Sequence, residues 1–144
     1  MTFDDARKSQ LDQGAPILAA HGIPATFYVN LEPFQARAED WLALVRAGHE
    51  IGNHTATHPC SAQHEFSREN ALEDYTLETM DRELSEASAA IERTGGTAPT
   101  TIAYPCGQTF VGRESRRRAM CHSSRGGSWQ GGDIWPTAPL LPRL

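Results

Sequence analysis

Cysteine, long apolar runs and signal-peptide features are all scarce in this chain. The three cysteines, Cys60, Cys106 and Cys121, cannot all pair with one another, and none forms a Cys-x-x-Cys motif. No apolar run approaches the length of a membrane span, so no membrane segment is expected. Acidic residues follow almost at once after Met1, unlike in a signal peptide. Either a cytoplasmic protein or a fragment without its natural start is therefore expected.

Charge divides the chain into two parts. The 144 residues carry a net charge of −5, but residues 1–112 account for −9 and residues 113–144 for +4. The front part has no basic patch, so nucleic acid is not expected as a partner. We therefore predict one domain over 1–112 and a low-complexity basic tail over 113–144 that is not part of the native fold. A shifted reading frame and a disordered tail both remain open as explanations of the tail.

Apolar periodicity in the front part predicts alternating strands and helices. Such alternation indicates an α/β fold with parallel strands, whose sites form from the loops at the carboxyl ends of the strands. The first strand is so short that its beginning is expected to be missing. In chain order, the predicted elements are strand Thr2-Phe3, a helix capped by Ser9 and ending at His21, strand Ala25–Val29, helix Ala38–Ala47, strand Glu50–Gly52, helix Ser67–Arg93 and strand Thr101–Ala103.

Two histidines follow the third predicted strand. His54 and His58 are four residues apart, a spacing that lets two imidazoles reach one metal ion, although two ordinary loop histidines would look the same. A hydrolytic site needs a third ligand, and Asp4 and Asp5 follow the first predicted strand. On an extended segment adjacent side chains point opposite ways, so one aspartate can be a ligand and the other a general base. A solvated acidic turn is the alternative.

Three short motifs resemble those of one enzyme family. Thr2–Asp5 and His54–His58 match the motifs Thr-Phe-Asp-Asp-Gly and His-Ser/Thr-x-x-His of the polysaccharide deacetylases, the NodB-homology group of carbohydrate esterase family 4. Ala103–Gly107 occupies the place of the third motif, Arg-x-Pro-Tyr-Gly, and is a weaker match, although order and spacing agree. The resemblance covers residues 2 to about 112. It implies the N-terminal portion of a distorted (β/α) barrel, left incomplete in a truncated member. It also implies a divalent metal, usually Zn²⁺, and removal of acetyl groups from acetylated polysaccharide or oligosaccharide.

The resemblance also assigns roles to individual residues. It implies that Asp5, His54 and His58 bind the metal and that Asp4 is the general base. The backbone N–H at Cys106 would complete an oxyanion hole, and a backbone donor tolerates Cys in the family's Tyr position. The supporting residues are Thr55, Tyr104 and Pro105.

Several family features are altered or absent. Ala6 stands in place of the usual Gly, and Ala103 in place of an Arg that orients the base. Asp133-Ile134-Trp135 is a superficial echo of the fourth motif, and the Leu-x-His of the fifth, which supplies the general acid, is missing. A catalytically impaired or inactive metal-binding fragment is therefore one alternative function, and an amide hydrolase for a small non-glycan substrate is another. The glycan, the N- or O-acetyl bond and the oligomeric state stay open.

The remaining cysteines and histidines receive structural interpretations. Cys60 and Cys106 both follow predicted strand ends and lie within possible disulfide reach, but we expect chance proximity rather than a bond. His21, His49 and His64 are expected to be surface or packing residues. Family members are often secreted, which leaves the location of this chain undecided.

Overall fold

A parallel sheet forms the centre of the molecule. A computed structural model describes residues 1–112, so the expectations for 113–144, Asp133-Ile134-Trp135 included, lie outside the described residues. Strands β1 (Thr2–Phe3), β2 (Thr26–Val29) and β3 (Glu50–Asn53) are hydrogen-bonded in the order β1-β2-β3. Both pairings are parallel, as the alternation predicted. Within residues 1–112 the sheet does not close into a barrel.

The predicted fourth strand is reduced to a single bridge. Ile102 pairs in parallel with Asn53, whose N–H donates to Thr101 O at 2.9 Å and whose carbonyl accepts from Ala103 N at 3.0 Å. The direction was predicted correctly and the length was not. Proline, which has no N–H to donate, comes soon after at Pro105 and limits further pairing.

The first two predicted helices are present, with changed boundaries. A π-helical turn (Gln10–Gly14) leads into α1 (Ala15–His21), which ends at Gly22 in the left-handed conformation. Ser9 does not cap it, because its backbone is already helical and its side chain makes no capping bond. Helix α3 (Ala38–Arg46) agrees with the prediction. Helix α2 (Leu31–Ala36) was missed, since Pro33 suggests a break but in fact occupies the first turn, where proline is tolerated.

The longest helix begins ten residues later than predicted. Helix α4 spans Leu77–Gly95, and Thr76 caps it by accepting from Thr79 N at 3.1 Å. Ser67, the predicted start, instead bonds both the N–H and the carbonyl of Cys60 at 2.8 Å. Short 3₁₀ turns occupy Glu65–Asn70 and Leu72–Asp74. The apolar spacing that suggested an earlier start comes from Leu72, which is buried although it precedes the helix.

Two apolar clusters hold these elements together. Phe27 of β2 and Trp41 of α3 are fully buried, with ring centroids 5.6 Å apart, and Ile91 of α4 joins them. A second cluster forms around Leu84, and it includes Tyr104 among its partly buried members. Helix α4 therefore packs beside β3, the strand that leads into the histidines. Among residues 1–112, no helix combines the length and apolar character needed to cross a membrane.

Candidate metal centre

Side chains from two strand ends meet at one edge of the sheet. Asp5 follows β1, and residues 54–58, here called the histidine loop, follow β3. Asp5 Oδ1 lies 3.4 Å from His54 Nε2 and 3.2 Å from His58 Nε2. The ligand atoms of these three residues all lie within 4.8 Å of one another. The structure thus brings the three predicted metal ligands together, and their binding of a metal stays a prediction.

His54 is oriented by a backbone carbonyl. The residue is 2% exposed, and its Nδ1 lies 2.9 Å from Ala103 O. A carbonyl only accepts, so Nδ1 carries the proton and donates. The lone pair of Nε2 is then free to face Asp5, which is the usual way that an outer hydrogen bond prepares a metal-binding histidine. The carbonyl of Ala103 serves this purpose whatever its side chain is.

His58 is held in its neutral form. Partial burial, followed by the positive charge that His54 would carry, lowers the pKa of His58, while the charges of Asp5 and Asp4 act in the opposite direction. The two imidazole rings have centroids 4.9 Å apart. Because only the neutral imidazole can bind a metal, the lowered pKa keeps His58 competent as a ligand to lower pH than a free histidine.

Asp5 is held by a local ion pair. Its Oδ2 accepts from Arg7 Nε at 3.1 Å and from Arg7 Nη2 at 2.8 Å, which leaves Oδ1 for the histidines. Desolvation acts to raise the pKa of Asp5, but the Arg7 hydrogen bond and the charges of His58 and His54 outweigh it, and the pKa is lowered. Asp5 is therefore ionised at neutral pH, as a metal ligand must be.

The segment that carries the aspartates is a turn, and the expectation of an extended segment was wrong. Asp5 and Ala6 have φ values of 75° and 52°, in the left-handed region. Residues other than glycine rarely adopt this conformation, which explains a family preference for Gly at the position of Ala6. Here Ala6 is buried in the core, and packing offsets the backbone strain.

Asp4, the predicted base, lies outside the group of three. Its residue is exposed, and its backbone carbonyl accepts from Gln10 Nε2 at 2.5 Å. Its carboxylate is near enough to His58 to favour the protonated imidazole. Within residues 1–112 the Asp4 side chain makes no hydrogen bond or ion pair, so the described residues supply no replacement for the family's orienting arginine.

The histidine loop is anchored by residues that the motifs only partly revealed. Thr55, a predicted supporting residue, is fully buried, and its Oγ1 accepts from His58 N at 3.2 Å. Asn53 was missed: its Oδ1 accepts from Thr55 N at 2.7 Å, and its Nδ2 donates to Leu84 O and Ser88 Oγ, both at 2.9 Å. Glu83 was missed as well, although an acid directly before Leu84 in an apolar helix stripe is a signal that could have been noticed.

A disulfide joins Cys60 to Cys106, which corrects the expectation that the two are unpaired. Their Cα atoms are 6.0 Å apart. The Ile102 bridge to β3 brings the two loops together, and nothing local in the sequence reports that contact. His58 and the two sulfurs also cluster, but oxidised sulfurs are not thiolate ligands, so this group is not a second metal set.

The turn that contains Cys106 follows directly from the bridge. Pro105 is buried, and Tyr104 is partly buried beside the Leu84 cluster. Cys106 has a φ of 54°, and Gly107 N donates back to Tyr104 O at 2.9 Å. Tyr104 and Pro105 thus form part of this turn, and their supporting role stays a prediction.

A cavity of about 450 Å³ opens beside two of the three candidate ligands. Asp5 and His58 form part of its wall, and Arg7, Asn70 and Phe66 contribute elsewhere. Phe66 is 72% exposed, which is unusual for a large apolar side chain. A polar solute can therefore reach Asp5 and His58 from solvent, whereas His54 is buried behind them.

The donor set fits a divalent metal. Two imidazole nitrogens and one carboxylate oxygen are ligands that Zn²⁺ and related ions take, and three protein ligands leave a coordination position open. The hydrogen bond from His54 Nδ1 to Ala103 O places the correct nitrogen toward Asp5. Fold and site together define an α/β protein in which two histidines and one aspartate form a group that could hold a metal ion.

The family model described as polysaccharide deacetylase matches residues 1–119, and the chain belongs to this family. A chitooligosaccharide deacetylase of Sinorhizobium fredii (strain NBRC 101917 / NGR234) is 38% identical over 60 residues, which are 41% of this chain and 28% of that protein. The chain therefore spans less than a third of this relative.

Solved structures show the same partial correspondence. A family 4 carbohydrate esterase from Streptomyces lividans, in complex with acetate, is 28% identical with a TM-score of 0.61. The match covers 75% of this chain and 50% of the esterase chain. The peptidoglycan deacetylase PdaC from Bacillus subtilis is 24% identical with a TM-score of 0.62, covering 79% of this chain and 50% of its own. The three-stranded parallel sheet thus matches part of the deacetylase fold.

Proposed function

We propose that the protein is a metal-dependent hydrolase that removes acetyl groups from acetylated polysaccharides or oligosaccharides. The observation that carries the proposal is the convergence of Asp5, His54 and His58 within a chain of the polysaccharide deacetylase family. A similar protein is a chitooligosaccharide deacetylase, and a similar structure is an esterase with acetate bound. Both support an acetyl group on a sugar as the target.

The three ligands are proposed to hold a divalent metal, with Zn²⁺ the best match to two histidines and one carboxylate. When bound, such a metal polarises an acyl carbonyl and lowers the pKa of a coordinated water. The protein's part is to present neutral imidazoles and an ionised carboxylate. The His54 bond to Ala103 O, the lowered pKa of His58 and the lowered pKa of Asp5 each serve that end.

Two further groups are proposed to act on the substrate. The Asp4 carboxylate would take a proton from the attacking water, since it is exposed and close enough to His58 for its charge to act on that imidazole. The N–H of Cys106 would donate to the oxyanion that develops on the acyl carbonyl. Cys106 is fixed for this role by its disulfide to Cys60, two residues beyond His58.

A polymeric or oligomeric sugar suits the open approach to these groups. The cavity beside His58 is lined by the polar side chains of Asn30, Thr57 and Asn70 as well as by Phe66. Sugars present hydroxyl and amide groups for such polar side chains, and an exposed ring offers an apolar face.

A metal-binding protein with little or no turnover is the second candidate. One observation favours it: the Asp4 side chain has no hydrogen-bond or ion-pair partner within residues 1–112. It concerns turnover and leaves metal binding untouched. The two candidates therefore differ in activity alone.

Metal content followed by acetate release separates the candidates. The full chain is loaded with Zn²⁺, and bound metal is measured by elemental analysis after buffer exchange. Acetate release is then measured from chito-oligosaccharide, which carries N-acetyl groups, and from acetylated xylan, which carries O-acetyl groups. Release from either substrate, absent in His58→Ala, supports the deacetylase. Stoichiometric metal without release supports the second candidate, and no bound metal overturns the ligand assignment.

A further inference from the structure

A buried carboxylate outside the metal centre contacts the backbone of the histidine loop. Glu83 lies on α4 and is 8% exposed, so its charge is largely removed from water. Its Oε2 accepts from Ala56 N at 3.0 Å and from Thr57 N at 2.8 Å. Burying a carboxylate is costly unless it is well hydrogen-bonded, and here the donors are amides between the two candidate ligands.

The other oxygen of the same carboxylate is also occupied. Oε1 accepts from Thr57 Oγ1 at 2.8 Å and from Tyr75 OH at 3.2 Å. Four donors thus surround one carboxylate, and an ionised carboxylate, which only accepts, suits all four. Bonds to an ionised acceptor are roughly twice as strong as neutral ones, so Glu83 is a firm attachment point.

Every backbone N–H of the histidine loop has an acceptor, and Glu83 supplies two of the five. The acceptors, in chain order from residue 54 to residue 58, are Val29 O at 3.1 Å, Asn53 Oδ1 at 2.7 Å, Glu83 Oε2 at 3.0 Å, Glu83 Oε2 again at 2.8 Å and Thr55 Oγ1 at 3.2 Å. Without Glu83 the N–H groups of Ala56 and Thr57 would lose their acceptor, and leaving such donors unsatisfied is costly.

The loop needs such attachment because its backbone is strained. Thr55 and His58 have φ values of 65° and 58°, which are uncommon for residues other than glycine and more so for a β-branched threonine. Conformations of this kind persist only where surrounding contacts impose them. The Glu83 bonds lie between the two strained residues and thereby fix the separation and direction of the His54 and His58 side chains.

We propose that Glu83 is a positioning residue for the metal centre. It acts through the loop backbone by setting the relative placement of His54 and His58, and it touches neither the metal nor the substrate. The inference rests on the proposed metal site and is independent of whether that site turns over a glycan.

Substitutions of graded severity at Glu83 test the proposal. Glu83→Ala removes all four acceptor interactions, and Glu83→Asp withdraws the carboxylate by one methylene. Glu83→Gln keeps one oxygen for the two amides, and the hydroxyls of Thr57 and Tyr75 can reverse and accept from its NH₂ group. Glu86→Ala is the matched control, since Glu86 is exposed on the same helix.

Two measurements are made on each variant of the full chain. The affinity for Zn²⁺ is measured by calorimetric titration, and amide exchange is measured by NMR without metal. In Glu83→Ala we expect the Zn²⁺ affinity to fall about 10- to 100-fold, the range seen when outer partners of metal ligands are removed. Exchange at Ala56 and Thr57 should rise, with the His54 amide as internal reference. The Zn²⁺ affinity of Glu83→Asp should lie between those of Glu83→Ala and the wild type. That of Glu83→Gln should be within about threefold of the wild type, and Glu86→Ala should bind Zn²⁺ as the wild type does.

The outcomes separate positioning from general stabilisation. A folded Glu83→Ala protein with wild-type Zn²⁺ affinity and unchanged exchange at Ala56 and Thr57 overturns the proposal, even if its melting temperature falls. If circular dichroism shows that Glu83→Ala does not fold, Glu83→Asp decides by the same criteria. A wild-type chain that binds no Zn²⁺ overturns both the ligand set and the positioning role. Zn²⁺ binding without acetate release overturns only the proposed turnover.

Discussion

The two sides of the candidate metal centre are built differently. The histidine loop is buried from His54 to Ala56, and long-range bonds from Asn53 and Glu83 hold it to α4. In the aspartate turn, residues 4–6, the buried Ala6 anchors the backbone, but the Asp5 side chain is held by Arg7, whose side chain is 70% exposed. An ion pair at such exposure contributes about 0–1 kcal/mol. The wall formed by the histidine loop, here called the rigid wall, is therefore held by long-range bonds. In the wall formed by the aspartate turn, here called the weaker wall, the ligand side chain relies on a local ion pair.

This difference bears on which function is better supported. Metal binding draws two of its three ligands from the rigid wall, so their geometry exists before a metal arrives. The proposed base, Asp4, belongs to the weaker wall, and its carboxylate has no bonding partner within residues 1–112. Catalysis depends on groups held close to their productive geometry. The structure thus favours metal binding more strongly than turnover.

Removing a ligand from the rigid wall should have the largest effect. His58→Ala deletes one of two imidazoles, and we expect the Zn²⁺ affinity to fall at least about 100-fold, because a site with two remaining ligands is no longer a typical zinc site. Calorimetric titration checks this, with His21→Ala as a matched control at an exposed histidine. Near wild-type affinity in His58→Ala would exclude His58 as a ligand.

Changing the proposed base should affect turnover and leave metal binding intact. In Asp4→Asn we expect acetate release to fall about 10²- to 10⁴-fold, the usual contribution of general acid–base catalysis, with unchanged Zn²⁺ content. The two readouts are taken on the same sample. Loss of Zn²⁺ from Asp4→Asn would show that Asp4 serves the metal, and full activity would show that another group is the base.

The same comparison explains what could be predicted from the sequence. His54, His58 and an aspartate of the Asp4-Asp5 pair were expected to meet because each follows a strand, and parallel strands place their carboxyl ends at a common edge. The choice of Asp5 over Asp4 as the ligand came only from the family resemblance. The left-handed turn at Asp5 and Ala6 was missed, since neither residue is a glycine. The Glu83 contacts were also missed, because they join residues 26 and 27 positions apart and leave no local pattern.

The wrong prediction for the start of α4 has a similar explanation. Thr76 ends the irregular segment by capping α4, but Ser67 offers the same capping chemistry and came first in the sequence. Only the fold reveals that Ser67 is already bonded to Cys60. Cys60 is in turn bonded to Cys106, a pairing that depends on the Ile102 bridge. Such tertiary contacts decide which of several equivalent local signals is used.

The disulfide is a third attachment of the rigid wall, and its loss should have an intermediate effect. Cys60→Ser with Cys106→Ser should lower the free energy of unfolding by about 2–4 kcal/mol, because the bond restricts the unfolded chain across a separation of 46 residues. Denaturant titration of the double variant measures this, with Cys121→Ser as control. Thiol titration of the unfolded wild type should show two additional thiols after reduction, and no increase would contradict the bond.

Substituting a residue that supports the weaker wall but is not itself a proposed metal ligand should have the smallest effect. In Arg7→Ala we expect the Zn²⁺ affinity to change by less than about fivefold, since an exposed ion pair contributes little and removal of a nearby positive charge offsets the lost orientation of Asp5.

The pKa of Asp5 should rise in Arg7→Ala, because the Arg7 hydrogen bond is what lowers it most. A lowered carboxyl pKa stabilises the fold above the unfolded pKa of 3.8, and that stability is lost as the pH falls through the folded pKa. Arg7→Ala should therefore be less stable than the wild type at neutral pH, and the difference should shrink under acid.

NMR titration of Asp5 and calorimetric Zn²⁺ titration at neutral pH provide the two measurements. Lys8→Ala is the matched control, since Lys8 is an exposed neighbour that pairs with Asp12 rather than Asp5. A fall of more than about tenfold in Zn²⁺ affinity would exceed what an exposed pair can contribute. The aspartate turn would then be as firmly built as the histidine loop, and the argument that Asp4 lies on a weakly held wall would lose its basis.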